Sequence, residues 1–179
     1  MENLFDQGNM EEAWDRITSF EEESKSADWN EGRQLWNTRL DFLTSLILLQ
    51  RENVDQAGVI IAQDLERSRR VHTKKREGRS LRLLGEVQMR RNEPDNSIRS
   101  LSEALLILKE VGNPRQLWQA HASLASVYGK LGRQTEAREQ WGAAAEVIHK
   151  TANGLSGSEL REGFLRARPI REILASAGS

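Results

Sequence analysis

Displaced against itself by about 40 residues, a period in the range of helical arrays, this chain matches itself without a gap across three copies. Ala125 falls on Gly85 and then on Ser45. Ala137 falls on Ser97 and Ala57, Trp141 on Leu101 and Ile61, and Ala144 on Ala104 and Asp64. Leu124 matches Leu84 but meets Thr44, and Tyr128 meets Gln88 and Leu48, so the match weakens toward the N-terminus. Within the copy spanning 118–148 the apolar and small residues recur at helical intervals, on two stretches joined by Leu131, Gly132 and Arg133. Small residues where two helices cross, with large ones on either side, let the axes approach and interdigitate. The pattern predicts antiparallel helix pairs stacked one on the next.

Composition agrees with that reading. A chain of 179 residues has room for one domain with a continuous core. Charged residues make up 30%, glycine and proline are few, and this suits a folded all-α protein better than disorder. Cysteine is absent, which excludes disulfides, thiolate metal sites and a thiol nucleophile. The acidic N-terminus lacks the layout of a signal peptide, and the longest apolar run, Leu46 to Leu49, is too short to cross a bilayer. A cytoplasmic location is the expectation.

With these residues in place, the chain resembles the tetratricopeptide-repeat (TPR) family, in the version lengthened from 34 to about 40 residues. The likeness rests on Leu124, Ala125 and Tyr128 in one helix and on Gly132, Ala137, Trp141 and Ala144 after it. The second copy keeps Leu84, Gly85, Leu101 and Ala104, with Ser97 and Gln88 as departures. The resemblance covers roughly residues 33 to 152 and implies an all-α, right-handed superhelical solenoid of antiparallel helix pairs. About three full repeats and partial terminal units are expected: a half-repeat and loop over 1–31, repeats over 32–76, 77–112 and 113–153, and a capping helix over 154–179.

Along the chain, Gly8, Ala13, Ile17 and Phe20 follow the order of Gly132, Ala137, Trp141 and Ala144, as in the second half of a repeat. An uncovered half-repeat implies a fragment of a longer protein, pairing through that end, or a cap formed by residues 1 to 7. Asn9, Asn53 and Asn113 are read as helix caps, as is Ser156 or Ser158. Pro94 and Pro114 suit first helical positions, Gly112 suits a helix stop, and Pro169 kinks or restarts the last helix. Trp29 is expected to tuck onto the first helices. Trp14, Trp36 and Trp141 are expected in the core; a final helix bears Leu160, Phe164 and Leu165, and Ile170, Ile173 and Leu174 are expected to close the end of the core. Asp64 breaks the pattern of small residues. It either pairs with an arginine of the next helix, Arg82 being the candidate, or reaches water by a slight rotation of its helix, and the second is the expectation.

Catalysis finds no support in the sequence. His72, His121 and His149 lie in different elements without metal-ligand spacing, no strand precedes a glycine-rich loop, and neighbouring carboxylates such as Glu11 and Glu12 diverge on a helix. No enzyme, cofactor or metal is expected.

The family's members are binding scaffolds, and the resemblance implies a groove lined by the first helix of each repeat. Carried over by position, that groove takes Arg39, Phe42 and Leu46 from the first repeat. It takes Arg79, Arg82, Glu86, Met89 and Arg90 from the second, and Gln119, Ala122, Ser123, Ser126 and Lys130 from the third. Such a lining suits a protein or peptide with acidic and apolar residues. Arg82 and Glu86 stand where chaperone-binding members carry their carboxylate clamp, which argues against chaperone tails. The competing account has these charges solubilising the array, with arginines paired to Glu86 and its neighbours. A second functional reading is self-assembly as a homodimer through the open N-terminal half-repeat. A third is nucleic-acid binding through the basic segment 67–91, but that segment has no aromatic residue for stacking and the chain's pI is near 6.3. A peptide-sensing regulator of the pheromone type would need a further module beside the repeats.

Overall fold

The computed structural model describes residues 9–26 and 30–178, with side chains in α2 described from Leu40 onward. Among these residues it holds nine helices and no strand. They are α1 (Met10–Ser26), α2 (Asn30–Gln50), α3 (Val54–Arg70), α4 (Lys74–Arg90), α5 (Pro94–Val111), α6 (Pro114–Lys130), α7 (Gln134–Asn153), α8 (Ser158–Arg166) and α9 (Arg168–Ala177). The C-terminal region is therefore two short helices, α9 restarting with Pro169 in its first turn. Trp29, residues 1 to 8 and the side chains of Leu35, Trp36 and Arg39 lie outside what is described.

The helices from α3 to α7 begin at intervals of twenty residues because one turn is built five times. Glu52, His72, Asn92, Gly112 and Gly132 all take positive φ, between 53° and 74°. In each turn the following amide donates to the carbonyl five residues back. Asn53, Thr73, Glu93 and Arg133 do so at 2.9 Å, Asn113 at 3.2 Å. This left-handed residue satisfies carbonyls that a helix end otherwise leaves open. Pro94 and Pro114 sit in first turns, where a missing N–H costs no hydrogen bond. Side-chain capping does not contribute at Asn53 or Asn113, and Asn53 Nδ2 instead donates to Gln56 Oε1. Asn9 supplies its carbonyl to Ala13 N. Neither Ser156 nor Ser158 caps α8; Gly157, at φ 102°, holds that position.

Each helix packs on the next, most extensively α4 on α5 and α6 on α7. α2 also touches α4, and α4 touches α6, while α9 packs on α7. Two sets of positions matched by the self-comparison are buried in every copy. Ser45, Gly85 and Ala125 lie buried in α2, α4 and α6, and Ala57, Ser97 and Ala137 in α3, α5 and α7. Among the described residues the core falls into four clusters, one holding Ala13 and Ile17 of α1, two in the middle holding Leu108 and Leu101, and one holding Ile148, Ile170 and Ile173.

Three expectations about the core change. Asp64 is 3% exposed and does not reach water: Arg76 Nη2 and Ser80 Oγ each donate to it at 2.5 Å. Arg82 is committed elsewhere, to Glu86 Oε1 at 2.6 Å and Gln116 Oε1 at 3.3 Å. Trp141 and Trp14 are only half-buried, Trp14 lying under the guanidinium of Arg51 at 4.6 Å, whereas Trp118 is buried and meets Phe164 edge-on at 5.7 Å.

Candidate functional site

The helices that touch one another in alternation, α2, α4 and α6, share a surface that carries two adjoining cavities. One, of about 280 Å³, is lined by Phe42, Leu46, Arg82, Gln119, Ala122 and Ser123, together with Leu43, Gln50, Arg115, Gln116 and Ile173. The other, of about 550 Å³, is lined by Glu86, Met89, Arg90, Ala122, Ser123, Ser126 and Lys130, together with Glu52 and Val127. Ala122 and Ser123 belong to both. The expected groove residues are thus brought together, apart from Arg39, whose side chain is not described, and Arg79, which lines neither cavity.

Their roles divide by burial. Phe42 is 6% exposed and forms floor, with the Arg79 guanidinium stacked 3.9 Å from its ring centre, a cation–π contact. Arg82 is likewise buried, at 5% exposure, so the expectation that it faces a partner freely is corrected. Its ion pair with Glu86 lies within α4, while the 2.8 Å hydrogen bond from Ser123 Oγ to the same carboxylate oxygen and the bond from Arg82 Nε to Gln116 tie α4 to α6. The account in which arginines pair with Glu86 holds for Arg82. It does not hold for Arg90 and Lys130, which are exposed and form no ion pair among the described residues. Gln119 Oε1 is buried beside the smaller cavity and accepts no hydrogen bond there.

Gln50 was within reach of sequence reasoning, since it stands forty positions before Arg90 and eighty before Lys130. Ile173 was not. It arrives from α9, outside the repeats, and closes one end of the smaller cavity.

The basic segment 67–91 has a different use. Arg67 pairs with Asp41, Arg69 with Glu77 and Glu103, Lys74 with Glu77, Arg76 with Asp64, and Arg91 with Asp55. Burial pushes the Glu77 carboxyl up, but the hydrogen bonds and charges of Lys74 and Arg69 outweigh this and hold it below its ordinary value. Burial also raises Asp41, with Arg67 only partly offsetting it. The cations thus stitch helices to one another.

No protein-family model matches the chain, and no curated protein or solved structure matches it significantly. No helix among the described residues is long and apolar enough to cross a membrane.

Proposed function

We propose that the chain is a TPR-like right-handed solenoid that binds an extended protein or peptide segment along the row formed by α2, α4 and α6, without making or breaking bonds. One observation carries this reading: two adjoining cavities are lined by these alternate helices. They combine an apolar floor (Phe42, Leu46, Met89) with the cations Arg90 and Lys130, which form no ion pair among the described residues. A segment with apolar side chains and a carboxylate satisfies both features. The protein acts as a scaffold, alone or within a larger regulator, and a cytoplasmic setting fits that role.

The test is selection of peptides from a random display library on the whole chain, followed by affinity measurement. Recovered peptides should carry Asp or Glu beside apolar residues. Arg90→Glu with Lys130→Glu should weaken them at least about tenfold while leaving the helical circular dichroism unchanged. Equal binding to that variant and to Leu46→Asp would remove the groove from consideration. Self-assembly has less support, since Ala13 and Ile17 of α1 are already buried and Arg51 covers Trp14.

A further inference from the structure

A third cavity, of about 780 Å³, lies away from that row, between the end of α5, the start of α6 and the second half of α7. Leu105, Leu106, Leu117, Val147 and Leu155 give it an apolar lining, and Lys109 and Lys150 stand in its wall. Leu106 is 73% exposed there. The preceding junction, between α3 and α5, shows what usually fills this place. Arg69 bridges it, donating to Glu77 of α4 and Glu103 of α5 at 3.1 and 2.7 Å. One repeat later the cation persists as Lys109, but Leu117 replaces Glu77 and Ala143 replaces Glu103. The same shift carries Glu66 to Leu106 and Glu110 to Lys150. Four carboxylates have become three apolar residues and a lysine.

The lysines are left without the partner that the earlier junction builds in. Neither Lys109 nor Lys150 forms an ion pair among the described residues. Glu146, where the earlier junction has Leu106, is the one carboxylate lining the cavity, so its ionised wall carries one net positive charge. His121, also in the wall, hydrogen-bonds to Gln140 at 2.8 Å, and burial holds it toward its neutral form. The size falls within the range of small-molecule sites, which are mostly apolar with few convergent polar groups.

We propose that this cavity binds an apolar monocarboxylate, an acyl chain or comparable apolar body with its carboxylate on Lys109 and Lys150. The ligand takes the place that Glu77 and Glu103 occupy beside Arg69. The site is separate from the α2–α4–α6 row and does not depend on what that row binds.

The test is calorimetric titration of the whole chain with sodium decanoate, decan-1-ol and decyltrimethylammonium. Decanoate should bind saturably at one site, and the two uncharged or cationic analogues at least about tenfold more weakly. Both lysines are exposed, so Lys109→Glu with Lys150→Glu should fold normally and lose decanoate by a similar factor. Ala143→Glu, which installs the counterpart of Glu103, should abolish binding, whereas the equally bulky Ala143→Gln should retain it within about threefold. Absence of saturable decanoate binding overturns the proposal. So does equal binding of decanol, indifference to the lysine changes, or binding confined to acidic amphipathic peptides.

Discussion

Ser97 Oγ donates a 2.7 Å hydrogen bond to the carbonyl oxygen of Gly85, joining α5 to α4. The absence of a side chain at Gly85 permits it. A Cβ built there would stand 2.6 Å from Cγ of Leu101, a side chain that is itself fully buried. Gly85→Ala should therefore cost about 1–3 kcal/mol through overpacking, measured by urea denaturation. Leu101→Ala makes room for the methyl group. The double variant should be more stable than the sum of the two single losses predicts, because the residues share one space. Strict additivity would show that the contact is not what limits this crossing.

Asp64 provides the second prediction. Its carboxylate receives Arg76 and Ser80 in a pocket where the aspartate and arginine side chains are 5% and 18% exposed. Asp64→Ala leaves the guanidinium without its partner in a largely dry place and should cost about 3–5 kcal/mol. Asp64→Ala combined with Arg76→Met should recover a substantial part of that loss in thermal denaturation. If Asp64→Ala alone is nearly neutral, the pair is hydrated in solution.

These two sites mark how far the sequence could be read. The small residues at 45, 85, 125 and at 57, 97, 137 announce helix crossings because a close approach admits few residue types, and all of them are buried. Asp64 was legible only as a departure. Its partners follow from which way Arg76 and Ser80 face on α4, and self-comparison at the repeat period does not encode that direction. That most of the carried-over positions line two cavities was legible by position, yet Phe42 and Arg82 are buried because burial depends on neighbours across helices. Trp141 packs against the core but is only partly covered, for a related reason: helical spacing says which side chains share a face, and the placement of the next element decides how far that face is covered.

Trp118, rather than Trp141, is the aromatic that the C-terminal end depends on. It is 7% exposed, and its cluster includes Ile148 of α7 and Ile170 and Ile173 of α9. Trp118→Ala should cost about 3–5 kcal/mol and should expose α8 and α9 to limited proteolysis first. Trp141→Ala, at a half-buried position, should cost less. Equal losses in equilibrium unfolding would contradict the difference in packing.

His121 gives a prediction in pH. Burial, followed by the charge of Lys109, lowers its folded pKa below 6.5, against the opposing hydrogen bond that its Nδ1 donates to Gln140 Oε1 and the charge of Glu146. A histidine with a depressed folded pKa takes up its proton more readily when unfolded. Its contribution is full above the unfolded value and is lost as pH falls through about 6.5 toward the folded value. The urea midpoint should therefore decline from about pH 7.5 to about pH 5.5, and His121→Gln should flatten that decline. An identical slope in the variant would show that the imidazole is hydrated in the native state.

The repeated turn yields the last prediction. Glu52, His72 and Asn92 adopt the left-handed conformation that Gly112 and Gly132 adopt in the later turns. A side chain there costs about 1–2 kcal/mol, less for asparagine, while glycine gives back about 0.5–1 kcal/mol through the greater freedom of its unfolded chain. His72 is exposed, so its replacement disturbs no core contact. His72→Gly should raise stability by up to about 1 kcal/mol, and Gly132→Ala should lower it by about the same amount, both by denaturant titration. Asn92→Gly should change it least, since asparagine tolerates the conformation best among residues with a side chain. The turns share the positive φ and the hydrogen bond five residues back, so the order of the three effects follows from the conformational preference at that position. A destabilising His72→Gly would mean that the imidazole contributes more to its turn than the backbone strain removes.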